Sequence, residues 1–430
     1  MRKLSFTRAR TALAPAIAAL AVLAGGCAVN PVTGESQLSL IGENEERQLG
    51  QENYTPTIQS QGGRFYLDPE LTVYVQEVGN KMAQVSDRPD LPYEFAVLNS
   101  SVPNAWALPG GKIAINRGLL VKLDDEAQLA SVLGHEIVHA AARHSVQRMQ
   151  QGMLLSAGMA GLGLALGDNE WGGLIMGGAA IGSQLALAQY SQSHELESDR
   201  FGIEYMVEAG YDPQAAVELQ ELFLELSEGR SSGFLDGLFA THPPSQKRVE
   251  ENHRLARELG TGGIRNRDRY QRMIAEAKRL QPAYDLHDEG LKLAGEKNYQ
   301  AALAKVNQAV KMAPREAAFH ATRARLHEAM NNPEKAEADF NRAVELYPEM
   351  FSYRLYRGLY RLDKGNLQGA QADLEASAQV VPTTIAYLRL GDIAAHQGDR
   401  NKAAAYYNEV AKTEGKLAEE ARRKLSNLQR

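Results

Sequence analysis

The last third of the chain repeats itself at a fixed interval, and that interval limits how it can fold. Pro314, Pro348 and Pro382 stand 34 residues apart. Ala302, Ala336, Ala370 and Ala404 keep the same spacing, as do Ala309 and Ala343, with Ser377 and Ala411 holding that register. Gly290, Ala324 and Gly358 make a third column of small residues. Small residues at a fixed place suit crossing helices, and a proline at each unit's end stops the helix before it. One such unit cannot bury its own apolar face, so successive units must stack. The register is imperfect: Pro333 falls where the first unit has Tyr299, and Gly391 comes one residue early.

A unit of this kind resembles the tetratricopeptide repeat, a helix pair that stacks into a superhelix. The resemblance implies an α-solenoid over 282–430 whose concave face holds a peptide or a partner protein. A spacer of stacked helices with no ligand is the plainer alternative. The highly charged stretch 256–281 reads as a linker into it.

A chain of 430 residues exceeds one core, so a further domain precedes the repeats. The net charge is -6 and no basic block occurs, which sets nucleic acid aside as the main partner. Cys27 is the only cysteine, which removes any intrachain disulfide framework or Cys-based zinc site. Arg2, Lys3, Arg8 and Arg10 form a basic start, and 11–23 is an apolar run too short to span a bilayer with ease. Ala24, Gly25 and Gly26 then lead into Cys27, so residues 1–27 read as a bacterial signal peptide. The junction resembles the lipobox of bacterial lipoproteins. That implies a lipidated Cys27, a membrane anchor and a periplasmic location, with the outer membrane as the expected site; ordinary secretion with a bystander cysteine is the alternative. Residues 28–42 are polar and turn-rich and read as a tether.

Residues 43–255 read as one α+β domain. Helical patterns at 43–54 and 71–85 precede two short strands, Glu94–Leu98 and Lys112–Asn116, parted by a turn at Leu108, Pro109, Gly110 and Gly111. A helix follows from 125 to about 150, with Asp124 as its N-cap and Asp125 and Glu126 at its positive end. Residues 153–190 are rich in Ala, Gly and Leu, and read as packed helices and a loop over the active site. A membrane-dipping hairpin is the alternative there. Another helix covers 193–208 and stops at Gly210.

Within the 125–150 helix, His135, Glu136 and His139 read H-E-x-x-H. Residues four apart share a helix face, so both histidines can aim a ring nitrogen at one metal ion, and zinc favours such ligands. Glu136, on the neighbouring face, can take the proton of an attacking water. A catalytic zinc needs a third protein ligand and one open position. Glu195 and Asp199, four apart on the next helix, would supply a ligand and a carboxylate behind it to hydrogen-bond a ligand histidine. His194 and Glu197 compete, and residue chemistry alone does not choose between Glu195 and Glu197. His144, one turn past His139, reads as structural.

H-E-x-x-H followed by E-x-x-x-D, with Asn104-Ala-Trp-Ala-Leu-Pro-Gly-Gly111 before it, resembles the gluzincin family that contains HtpX, the prenyl-protein CAAX protease and the mitochondrial Oma-type protease. The resemblance covers roughly 43–250. It implies a mainly α protein: a zincin-type metallopeptidase domain with a small sheet, then the solenoid. It also implies one Zn2+ held by His135, His139 and Glu195, with Asp199 behind them and Glu136 as the base. His242, in Thr241-His242-Pro243, is the best candidate donor to an anionic tetrahedral intermediate. Its other readings are a fourth ligand that keeps the enzyme latent, or a core histidine beside Pro243 and Pro244. Lys112, Ile113, Ala114, Ile115 and Asn116 would form the strand edge that pairs with an extended substrate. The expected function is a zinc endopeptidase of the bacterial cell envelope that removes misfolded or misassembled outer-membrane proteins. Its repeats would recruit substrate or the outer-membrane β-barrel assembly machinery. A chaperone or scaffold with latent proteolysis is the second reading, and structural zinc the third.

Overall fold

The computed structural model describes residues 27–151, 189–228, 236–260 and 262–428. The signal-peptide reading of 1–26 and most of the covering segment at 153–190 lie outside the described residues, as does the side chain of Cys27. Among the described residues no helix is long and apolar enough to cross a membrane.

The described residues begin with a hairpin, β1 (Cys27–Val29) against β2 (Ser36–Leu38), then helices α1 (Glu43–Ser60) and α2 (Pro69–Ala83). The polar composition of 28–42 suggested a tether, and the structure corrects this. Asn30, Val32 and Ile41 are buried, because the hairpin lies on the first domain. Its turn is shaped by Asn30, whose side-chain oxygen accepts from the backbone N–H groups of Val32 and Thr33.

A three-stranded sheet forms the floor of the domain: β3 (Glu94–Leu98), β4 (Ala105–Leu108) and β5 (Lys112–Asn116), in the order β3-β5-β4. The chain turns back at Pro109, Gly110 and Gly111, so β5 runs antiparallel to β4 and then slots in parallel beside β3. The expectation that Lys112, Ile113, Ala114, Ile115 and Asn116 form an edge is therefore corrected. They are the central strand, hydrogen-bonded on both sides and buried throughout, with no edge left for a substrate. Lys112 is buried with its ammonium paired to Glu94. Of the two outer strands, β4 lies against the helix that carries the histidines.

That helix, α3 (Glu126–Ala141), starts one residue later than expected. Asp125, not Asp124, is its cap, accepting from the Gln128 N–H at 3.0 Å. It stops at Ala141, and Arg143 turns the chain in a left-handed conformation (φ 63°) before a second helical stretch at 144–151. Helices α4 (Gln192–Glu208), α5 (Gln214–Glu228) and α6 (Gln246–Leu259) complete the domain. α3 and α4 cross almost in backbone contact. A Cβ on Gly202 would sit 3.0 Å from the His135 nitrogen, and one on Gly134 would sit 3.1 Å from the Gly202 carbonyl oxygen. No side chain fits between the helices there, and that closeness lets groups on both reach one point.

Residues 256–281 are more than a linker. Tyr270, Ile274, Ala277 and Leu280 are buried, and Tyr270 donates its hydroxyl to the Leu120 carbonyl. The repeats follow as helix pairs: α7 (Ala275–Gly295) with α8 (Tyr299–Met312), α9 (Ala317–Ala329) with α10 (Pro333–Leu346), α11 (Phe351–Asp363) with α12 (Leu367–Val380), and α13 (Thr384–His396) with α14 (Arg400–Ala411). A last helix, α15 (Lys416–Leu428), covers the end. Pro314, Pro348 and Pro382 lie in the turns between pairs. Ala302, Ala336 and Ala370 are fully buried, as expected, but in the fourth unit Ala403 and Val410 take the buried columns instead of Ala404 and Ala411. The early Gly391 marks the deletion that shifts them. The solenoid is docked on the first domain: Tyr66 donates to the Arg315 carbonyl (2.7 Å) and packs on Tyr347, whose hydroxyl accepts from the Arg64 N–H.

Candidate metal centre

The crossing of α3 and α4 brings His135, His139 and Glu195 together, and the segment before α6 adds His242. His139 Nε2 is 3.1 Å from His135 Nε2, and His135 Nε2 is 3.3 Å from His242 Nδ1. The Glu195 carboxylate oxygens lie 3.5 Å from His135 Nε2, 3.4 Å from His139 Nε2 and 3.1 Å from His242 Nδ1. Zinc bonds of about 2.0–2.1 Å to nitrogen and oxygen give a tetrahedron with edges of roughly 3.3 Å. Most of these separations are close to such an edge, and one donor atom from each of the four residues lies within 4.8 Å of the others, so these residues fit a divalent cation.

The supporting groups are as ordered as the donors. Asp199 Oδ1 lies 2.9 Å from His135 Nδ1, the place expected for it. It is held by Arg248, which donates from Nε and Nη2 to its two oxygens at 2.6 and 2.7 Å and pairs with Glu195 at 2.9 Å. Arg248 was not singled out in the sequence. Its one clue is the spacing after Thr241-His242-Pro243, which puts it in the first turn of α6 with its Nη1 donating to the Pro243 carbonyl. Burial would raise the Glu195 and Asp199 pKa values. His242, Arg248 and His135 outweigh it at Glu195, and Arg248 with His135 at Asp199, so both carboxyls stay ionised below the usual range. Burial holds His139 well below the usual imidazole value, in the neutral form a metal ligand requires.

Glu136 sits beside the cluster. Its Oε2 is buried with no hydrogen-bond partner among the described residues, and its Oε1 is 3.5 Å from His242 Nε2. Burial raises its pKa. Of the competing ligands, Glu197 points away from the cluster to His144, and His194 stacks on the His144 ring at 4.1 Å. Tyr190, another group absent from the sequence reading, stacks on the His139 ring at 3.7 Å and shares hydrogen bonds with Ser145 and the Ala107 carbonyl. A narrow cleft opens next to His135 and Glu136, with Leu119, Val132, Ile203, Leu219 and Phe223 among its walls.

The profile of peptidase family M48 matches residues 69–256, which span both halves of this cluster. The chain carries a peptidase family M48 domain. Tetratricopeptide repeat profiles match 287–351, 321–376 and 355–416. The Beta-barrel assembly-enhancing protease of Escherichia coli (strain K12) is 29% identical over 234 residues, covering 53% of this chain and 47% of its own length. The Mitochondrial metalloendopeptidase OMA1 of Schizosaccharomyces pombe is 30% identical over 224 residues, 51% of this chain and 64% of its own. The protein of that name from Saccharomyces cerevisiae is 26% identical over 259 residues, 54% and 72%. The chain spans about half the length of the first of these curated relatives.

Proposed function

We propose that this M48 protein is a zinc-dependent endopeptidase of the bacterial cell envelope that degrades misfolded or misassembled proteins. The observation that carries the reading is the convergence of His135, His139 and Glu195 on one point, with an unpartnered Glu136 oxygen beside it. A cation held by His135, His139 and Glu195 supplies Lewis acidity, polarising a carbonyl and acidifying water. Glu136 then acts as the proton carrier, receiving the water's proton and delivering it to the departing amine. Asp199 and Arg248 keep His135 and Glu195 aimed. With β5 buried in the sheet, an extended substrate would pair along β4, whose Ala105 lines the cleft. The name of the Escherichia coli relative, Beta-barrel assembly-enhancing protease, supports a link to β-barrel assembly; on this reading outer-membrane proteins are the substrates and the repeats recruit them or the assembly machinery. A lipid on Cys27 would hold the protein at the periplasmic face of the membrane. Purified protein is expected to hold one zinc per chain and to cleave casein. Chelation should abolish cleavage and zinc should restore it; cleavage that survives chelation would remove the metallopeptidase reading.

A second reading, of a scaffold with latent proteolysis, draws on the placement of His242. Its Nδ1 takes the fourth corner, which a substrate-ready site leaves open. This arrangement is the resting form, and His242 must swing aside before water enters. His242→Ala is then expected to raise basal cleavage. A fall of about 10²–10³-fold would instead assign His242 to the donor role toward the tetrahedral intermediate.

A further inference from the structure

We propose that the N-terminal hairpin is part of the metal centre, and that Asn30 positions the ligand His139 through Glu197 and His144. The proposal rests on the reading of His135, His139 and Glu195 as metal ligands. Asn30 is buried, and its Oδ1 is occupied by the backbone N–H groups of Val32 (2.9 Å) and Thr33 (3.3 Å). That fixes the amide so that Nδ2 donates to Glu197 Oε1 at 3.2 Å. The same oxygen lies 3.2 Å from His144 Nε2, and His144 Nδ1 lies 2.8 Å from His139 Nδ1.

With a metal ion on His139 Nε2, the protons in this chain have one consistent placement. A carboxylate oxygen only accepts, so His144 carries its proton on Nε2. Its Nδ1 is then the acceptor for the proton that metal-facing His139 carries on Nδ1. His139 is left with its Nε2 lone pair facing the other donors, the tautomer a metal ligand needs. Every donor meets an acceptor.

The placement of His144 also depends on the N-terminal segment. It follows α3 only because the chain reverses at Arg143, in the left-handed region that a side chain with a Cβ seldom adopts. Arg143 is held in that turn from outside. It donates to the Ile41 carbonyl (2.6 Å) and the Ser39 hydroxyl (3.2 Å), and forms an ion pair with Glu46 (2.9 Å). Gln147 donates to the Gln37 side chain (2.6 Å), and the Leu40 N–H donates to Gln150 (2.7 Å). Residues 30–46 thus clamp both the turn that delivers His144 and the carboxylate behind it.

The test uses the full mature chain loaded with zinc and measures zinc affinity by competition with a chromophoric chelator. Asn30→Asp keeps the acceptor that shapes the turn, loses the donor and sets a second carboxylate against Glu197. A 10–100-fold loss of affinity is expected, the usual effect of removing a group behind a ligand. Thr33→Ala, in the same turn but outside the relay, should leave affinity unchanged. Asn30→Ala is expected to match Asn30→Asp in wild-type protein and to add nothing further in a Glu197→Gln background. Ring-nitrogen NMR should show His139 protonated at Nδ1 in the wild type and a mixture of tautomers in Asn30→Asp. Wild-type affinity in folded Asn30→Asp, or losses that simply add in the double variant, would overturn the proposal. Failure of the wild type to bind zinc would instead overturn the metallopeptidase reading.

Discussion

Glu136→Gln is expected to cut cleavage of an unfolded protein substrate by about 10²–10⁴-fold, the range for loss of a positioned general base. Zinc content should not change. The carboxylate is not among the four donor atoms, and glutamine has nearly the same shape, so the packing of α3 is kept. What is lost is specific: a buried oxygen without a partner among the described residues, next to the cluster, on a carboxyl whose pKa is raised by burial. A raised pKa makes the carboxylate a stronger base while it still ionises. The measurement is kcat/KM beside metal stoichiometry by mass spectrometry. Near-normal cleavage would move the base elsewhere, and lost zinc would show that Glu136 acts on the fold. In cells, barrel assembly that survives Glu136→Gln would favour the scaffold reading.

The parts of this site that were legible in the sequence are those set by a local period. His135, Glu136 and His139 lie within one helical turn, and Glu195 with Asp199 within another, so each pair's shared face follows from helix geometry. The step that local spacing could not supply was the choice of Glu195 over Glu197. It depends on how two helices cross, and the crossing is set by Gly134 and Gly202, two glycines with no pattern to mark them. Family resemblance supplied that choice, and the geometry agrees with it.

The strand error has the same origin. Alternation identified Lys112–Asn116 as a strand, but its place in the sheet depends on pairing with β3, which lies across a turn and another strand. Five consecutive buried residues mark an interior strand, and the polar ends Lys112 and Asn116 hid that signature. At the N-terminus, polarity misled in the opposite direction. Residues 28–42 read as a tether, yet Asn30 among them is buried because the hairpin turn and Glu197 satisfy its amide. In the repeats the 34-residue period held for three units and slipped in the fourth, where Gly391 had already announced the missing residue.

Arg248→Ala should have the largest effect on stability, and metal-free protein is the place to see it. The guanidinium makes two parallel hydrogen bonds to Asp199 and an ion pair to Glu195, all three groups buried. Truncating one partner of such a network leaves carboxylates without a counter-charge and costs about 3–5 kcal/mol. For a domain of this size, at roughly 2–4 °C per kcal/mol, the first domain's melting transition should fall by about 6–20 °C. Arg248→Lys should recover only part, because one ammonium cannot make the two parallel bonds. The pH dependence separates charge from packing. In the wild type the folded-state pKa values of Glu195 and Asp199 are depressed, so the stability they contribute is present above the ordinary carboxylate range and lost as pH falls through the depressed values. Without Arg248 the main charge holding Asp199 down is gone and one of several holding Glu195 down, so both values rise and protonation relieves the variant in mild acid. The deficit should therefore be greater near neutral pH than near the ordinary carboxylate pKa, about 4. An equal deficit at both would mean that Arg248 stabilises the domain by filling space, with its charge incidental.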